Sequence, residues 1–339
     1  MYELIALIAA LKQMKRPNMF LWNLFIKQEI PEKTSKFEVH TKVARRRMAP
    51  FVGKYAGGKL LEKDGSSISE FEPGIIKPYR EAHANELLKQ QFGETIYGNA
   101  LDIEEIAEDQ VTQEIEFLDE AITRTENWML GKLLTTGVVP IVGETVNRAI
   151  KFGDHDKEVL SGTSLWTNEQ SDPVEYLLEK QLEILEKTGV MIDSICMSAT
   201  AGKAFKDHPK VKERLKYITA DVIRVEPRNL GDGAKFIGTI PEADLDIYVF
   251  TDWVENFETK TSEAIIPAGE IIGGKSKSFR VHYGAIAQMV NKEKSVFVGK
   301  RIPKTWVDEK NDLECIQVSS APLIVPEDAS SFFAAKVIE

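Results

Sequence analysis

Two cysteines, Cys196 and Cys315, are all that 339 residues contain. Two thiols cannot build a disulfide framework in a chain this long, and their spacing does not pair them. Reduced, buried thiols are expected. The five histidines, His40, His83, His155, His208 and His282, are scattered. None stands in helical H-x-x-x-H spacing and none has cysteine companions, so no zinc set is assembled. The G-x-S-x-G elbow of acyl-transfer enzymes is missing, and neither cysteine has a nucleophile's context. No stretch approaches the ~20 apolar residues of a membrane span. The opening "MYELIALIAALKQMKRPN" is apolar only briefly, and its basic residues follow the apolar segment. That is the reverse of a secretory signal, so a cytosolic chain is expected.

Excess positive charge is also lacking. Lys and Arg number 43 against 53 Asp and Glu, a formal net charge of −10. Such a balance repels nucleic acid and anionic membrane surfaces. The hydrophobic fraction of 43% and charged fraction of 28% suit a globular protein of two or three units. There is no internal repeat and no low-complexity segment.

Three motifs could carry chemistry. "GKYAGGK" (53–59) has G-x-x-x-x-G-K spacing, which would place Lys59 on a phosphate. The next residue is Leu60 where a phosphate-binding loop needs Ser or Thr for magnesium, and neither a buried strand before it nor a helix after it is expected. A nucleotide-dependent enzyme is therefore the weak alternative and a flexible hairpin the stronger reading. Asp154, His155 and Asp156 are consecutive, and neighbours on a strand point to opposite faces, so a polar turn is expected rather than a metal site. "ARRRM" (44–48) makes Arg45, Arg46 and Arg47 the one basic cluster, fitting carboxylates of another subunit better than nucleic acid. No catalytic, cofactor or metal residue is assigned.

Periodicity says more. Residues 2–13 read as a short amphipathic helix, followed by the apolar patch "MFLWNLF" (19–25), which could cap its own core or dock elsewhere. Residues 36–44 alternate as a ribbon strand, "KDGSS" carries the Asp64-Gly65 turn pair, and 67–80 read as the return, interrupted at Pro73-Gly74 with Pro78 marking an edge. The sum is a long two-stranded hairpin, which alone is marginally stable in water. Residues 102–135 read as one long helix with Ile103, Ile106, Val111, Ile115, Leu118, Ile122, Met129 and Leu133 on its apolar stripe. Nine acidic residues from Asp102 to Glu120 precede Arg124 and Lys132, in the order the helix dipole favours.

Residues 138–166 read as strands and turns. Asp172, Pro173 and Gly189 bracket a helix whose expected inner face is Val174, Leu177, Leu178, Leu182 and Leu185. "MIDSICMS" reads as a buried strand, 199–207 and 209–217 as short helices, and 235–240, 245–251, 279–289, 313–318 and 332–338 as strands. The class is α+β, and its distinctive parts are extended arms around an ordinary body. Arms without cores fit a subunit that orders on its neighbours, although a module binding unlike proteins would share that feature.

"GSSISEFEPGIIKPYREAH" (65–83) resembles the S-E-F-x-P-G-x-x-K-P segment of major capsid proteins of lambda-like tailed bacteriophages. The C-terminal stretch is similar to the same family in Lys304, Trp306, Val307, Gln317, Ser320-Ala321-Pro322-Leu323, Pro326 and Asp328, with Val318 and Ser319 inserted after the glutamine. The resemblance implies the Hong Kong 97-type capsid fold. It makes 1–35 an N-terminal arm, 36–85 an extended loop, 86–169 a peripheral domain with a spine helix at 102–135, 170–270 an axial domain, and 271–339 the return strands of both. It implies self-assembly into pentamers and hexamers of an icosahedral shell around double-stranded DNA, in the virion after assembly in the host cytoplasm. It implies a scaffolding protein and a portal as partners and allows a decoration protein, with DNA met only non-specifically, no membrane and no cofactor. On this reading Arg45, Arg46, Arg47, Phe71, Pro73 and Pro78 are the expected assembly contacts.

Overall fold

A computed structural model describes residues 19–42, 48–53, 57–58, 60, 66–83, 103–143, 145–216, 224–231, 233–256, 260–290, 293–311 and 313–339. The expected helix at 2–13, the Arg45–Arg47 cluster, the Asp64-Gly65 turn and Lys59 lie outside the described residues.

A seven-stranded mixed sheet organises the body. Its strand order is Asp156–Val159, Phe332–Lys336, Glu270–Gly274, Ser194–Met197, Leu245–Phe250, Ala234–Ile240 and Arg224–Gly231. Alternation along each strand divides its side chains between two cores. Cys196, Ile272, Phe332 and Ala334 join the larger core with Phe25, Leu130 and Leu133. Ile195, Met197, Ile271, Phe333 and Ala335 join the second with Val174, Leu177, Ala201 and Phe205. The sheet thus draws strands from the 86–169, 170–270 and 271–339 segments alike.

The long helix runs Ile103–Thr136, about 50 Å at 1.5 Å per residue. It stops at Gly137, whose φ of 72° is the left-handed conformation of a helix C-terminal cap. Val111, Ile115, Leu118 and Ile122 are buried under Ile316 and Val318. These two belong to a three-stranded sheet ordered Ile302–Asp308, Leu313–Ser319, Tyr79–His83. The C-terminal half of the helix, with Met129, Leu130, Leu133 and Leu134, enters the larger core.

The "MFLWNLF" patch caps its own core. Phe20–Phe25 is a helical turn and a half that buries Leu21, Trp22 and Phe25. Full burial of one such side chain stabilises by about 1.5–3 kcal/mol. The chain then runs on as Ile26–Pro31, parallel to Phe279–Tyr283, which pairs in turn with Pro322–Pro326.

The helix at Pro173–Thr188 begins as its residues dictate. Asp172 Oδ1 accepts from the backbone N–H groups of Val174 and Glu175, both at 3.2 Å, and Gly189 closes the other end at φ 76°. Its inner face is rotated from the expected one. Val174, Leu177, Gln181 and Ile184 are buried, whereas Leu182 is 63% exposed. Gln181 earns its inside place by donating to the carbonyls of Ile192 and Ala243, at 2.8 and 2.9 Å.

The ribbon pairs Phe37–Lys42 antiparallel with Ser66–Phe71, from Phe37↔Phe71 to Lys42↔Ser66. The return strand is shorter than the expected 67–80. Pro73 has no N–H to give a ladder, and after it the chain crosses to another sheet, where Tyr79–His83 pairs with Leu313–Ser319.

Candidate assembly site at the base of the arm

The ribbon leaves the body through a clamped base. Phe37 is buried and stacks on His282, ring centroids 5.0 Å apart, while His282 Nδ1 lies 2.8 Å from Glu32 Oε1. Phe71, paired opposite Phe37, rests on Phe152 at 5.1 Å. Beyond it, Arg148 Nη2 donates to the carbonyls of Glu72 and Pro73, at 3.0 and 3.2 Å. Gly74 passes so close to Ile141 that a Cβ would meet its Cγ2 at 2.5 Å. The hairpin formed by Val138–Gly143 and Val146–Lys151 therefore grips the return segment from outside.

The same segment is stitched to the C-terminal strands. Ile76 and Ser320 exchange backbone hydrogen bonds of 2.8 and 2.9 Å, and Val318 N–H donates to the Pro78 carbonyl at 3.3 Å. Arg80 pairs with Glu114 of the long helix at 2.8 Å and lies over the Phe117 ring. Further out, Met48, Phe51 and Leu60 are essentially bare, at 89%, 103% and 91% exposure.

Behind this base sits a buried ionic knot. Arg301 donates through Nε to Asp119 at 2.5 Å, through Nη1 and Nη2 to the two oxygens of Glu126 at 2.7 and 2.9 Å, and to Thr123 and Ser320 hydroxyls. Burial alone would lower its pKa; the Glu126 carboxylate, aided by Tyr283 and Asp119, outweighs this and holds it above the ordinary arginine range. Ser320 thus ties the long helix, through Arg301, to the Ile76 bridge at the arm's base.

Of the expected contact residues, Phe71 and Pro73 spend their apolar surface on their own chain: Phe71 is half-buried against the larger core and Pro73 is buried. Pro78 is half-buried beside Val318. Sequence reasoning missed Arg148, inside the strand Val146–Lys151, and Arg301, which follows Lys300 just before the strand Ile302–Asp308.

The motifs with possible chemistry come apart. Gly57 and Gly58 have open space around them. Asp154 pairs with Lys151, Asp156 with Lys180, and the His155 ring packs on Phe332 at 4.9 Å, so the three diverge. Cys196 and Cys315 are buried and free, and burial pushes both thiols up. A Ser171–His208 pair at 3.1 Å does face inward. Lys210 N–H donates to His208 Nδ1, so Nε2 carries the proton and donates toward Asn168 and Ser171; it cannot act as base toward that serine. Among the described residues no cluster of His, Cys, Asp and Glu could hold a metal, and no helix is long and apolar enough to cross a membrane.

Known proteins of similar sequence are capsid proteins. The major capsid proteins of Escherichia phages lambda and N15 are each 22% identical to the chain, covering 99% and 96% of both partners. Among solved structures, the capsid protein of a prophage of E. coli CFT073 aligns over 99% of each chain at TM-score 0.71 and 18% identity. A phage-related protein of Bordetella bronchiseptica aligns at TM-score 0.54 and 13% identity, over 98% of this chain and 96% of its own. The shared architecture is the Hong Kong 97-type capsid fold. Residues 3–337 match the family described as phage major capsid protein E, and the chain belongs to that family.

Proposed function

We propose that this major capsid protein closes into pentamers and hexamers of an icosahedral shell around double-stranded DNA, with the ribbon at 36–85 lying across an adjacent subunit. The observation that carries this is the contrast along the arm. Its base is fastened at Phe71, Pro73 and Ile76, while Met48, Phe51 and Leu60 have no cover within the described residues. Apolar side chains held away from the body gain burial only on a partner, and a shell supplies a sister copy at the same place on every subunit. Arg45, Arg46 and Arg47 are the proposed ionic contacts of that arm. Phe71, Pro73 and Pro78 serve the contact by holding its direction.

A scaffolding protein and a portal are proposed partners, with a decoration protein as an optional addition. Assembly is proposed in the host cytoplasm. A net charge of −10 suits a lining that lets DNA pass rather than binding it. The test replaces residues 44–64 by a short turn and leaves the clamped base intact. The variant is expected to fold, by circular dichroism, and to form no closed particles under negative stain. Normal particles from it would overturn the proposal.

A further inference from the structure

Two helical faces of opposite sign lie on the second-core side of the seven-stranded sheet. On Pro173–Thr188, Glu175, Glu179, Leu182 and Glu186 follow one another at spacings of four, three and four, so they share one exposed stripe. Lys180 does not neutralise that stripe. It is buried, and its ammonium is taken by Asp156, Glu158 and Glu183, at 3.4, 3.0 and 2.8 Å. Lys187 likewise goes to Glu183. In the centre of the stripe, Leu182 is 63% exposed.

The next two helices, Ala199–Asp207 and Pro209–Lys216, reverse the sign of an acidic chain. Their residues include six that are basic against two that are acidic. Lys203 and Lys206, one helical turn apart, are both exposed and form no ion pair among the described residues. Asp207 is already occupied by Lys212.

The two faces stand over different parts of the sheet. Tyr176 and Lys180 tie the acidic helix to the edge strand Asp156–Val159. Gly202 sets the basic helix against Val249, in Leu245–Phe250. Three strands separate those two, and the acidic helix reaches across toward the second through Gln181, which donates to the carbonyls of Ile192 and Ala243. Complementary patches at different places on one chain generate a head-to-tail contact, the kind that closes into rings.

We infer that the acidic stripe Glu175/Glu179/Leu182/Glu186 of one subunit docks on the Lys203/Lys206 face of the next copy around a ring. The inference deepens the shell reading above and rests on it. The occupant is a second copy because charge complementarity is found within a single chain, and the shell brings identical chains edge to edge. Surface ion pairs add little affinity one by one. Their use here is to set register and partner face, and to exclude like-against-like encounters.

The test is a charge swap at exposed positions. Glu179→Lys/Glu186→Lys makes both faces basic, and Lys203→Glu/Lys206→Glu makes both acidic. Each protein alone is expected to fold, by circular dichroism and Tm, and to lose ring and shell formation at least tenfold in yield. Mixed one to one, they should associate and alternate, closing rings of six but not of five, because alternation needs an even number. The quadruple variant should regain both rings. Wild-type assembly by either double variant, or a folded quadruple variant that does not assemble, would overturn the contact. So would normal shells of Lys203→Glu/Lys206→Glu that fail only in retaining DNA, an outcome that assigns the basic face to nucleic acid. Should the wild type itself form no rings, the shell reading falls. Light scattering of the mixed double variants then still decides the contact: stronger association than either alone supports it, and none overturns it.

Discussion

Arg301 and Glu126, 175 residues apart in the chain, meet side by side with two parallel hydrogen bonds of 2.7 and 2.9 Å, and the glutamate is fully buried. A buried forked pair is costly to desolvate, but breaking one side costs more, because the other charge stays buried alone. Arg301→Met leaves Asp119 and Glu126 facing each other without a cation. The expected loss is about 3–5 kcal/mol in chemical denaturation of the assembly-blocked subunit. Arg301→Lys should recover only part, since a lysine has no planar fork for the two Glu126 oxygens. Equal stability of Arg301→Met and wild type would remove the knot from the account of how the long helix is held.

Arg148 acts at a smaller scale. Its guanidinium satisfies the Glu72 and Pro73 carbonyls, on the segment that re-enters the body. Hydrogen bonds to a charged group contribute about 1.5–3 kcal/mol. Arg148→Ala is expected to leave the far-ultraviolet spectrum unchanged and to speed hydrogen exchange at the amides of 68–76. Particles would become fewer or uneven, because the arm leaves at a variable angle. Unaltered exchange at those amides would show that Phe71 and the Ile76 bridge hold the base without it.

These two arginines also mark where sequence reading stops. The long helix is legible as 102–135 and observed at Ile103–Thr136 because its apolar period and its terminating glycine are local signals. The helix after Asp172-Pro173 is legible for the same reason. Leu182 reads as core by identity, yet only the distant carbonyls of Ile192 and Ala243 decide that Gln181 takes the inner position. Strands such as Arg224–Gly231 and Pro322–Pro326 contain prolines that break the strand pattern. The first is an edge strand and the second lies beside one neighbour only, so the missing N–H groups are tolerated. Arg148 finds its carbonyls 76 and 75 residues away, and Arg301 its carboxylates 182 and 175 residues away; no local period records such meetings.

Gly137 is required twice over. Its φ of 72° disfavours any residue with a Cβ, and that Cβ would stand 2.2 Å from the Cβ of His155. Gly137→Ala is expected to cost about 1–2 kcal/mol for the left-handed backbone and a further ~1–3 kcal/mol for the overlap. The measurement is the denaturation midpoint of the subunit. A loss below 1 kcal/mol would mean that the helix end and the His155 loop part easily.

His155 makes the fold sensitive to acid. Its ring lies between Gly137 and Phe332, and neither nitrogen makes a well-formed hydrogen bond. Burial lowers its pKa from 6.5 to about 4. Asp156 and the Thr135 backbone oppose that fall, and Lys157 and Lys151 reinforce it. The unfolded chain therefore takes up this proton at a higher pH than the folded one. Stability from the neutral ring is complete above pH 6.5 and declines as pH falls through 6.5 toward 4, since only the unfolded state gains the proton in that window. His155→Phe keeps an aromatic body against Phe332 and carries no proton. Its unfolding free energy, measured from pH 7.5 to 4, should fall less steeply than that of the wild type, with the difference opening below pH 6.5. Parallel curves across that window would show that protonated His155 is tolerated where it stands.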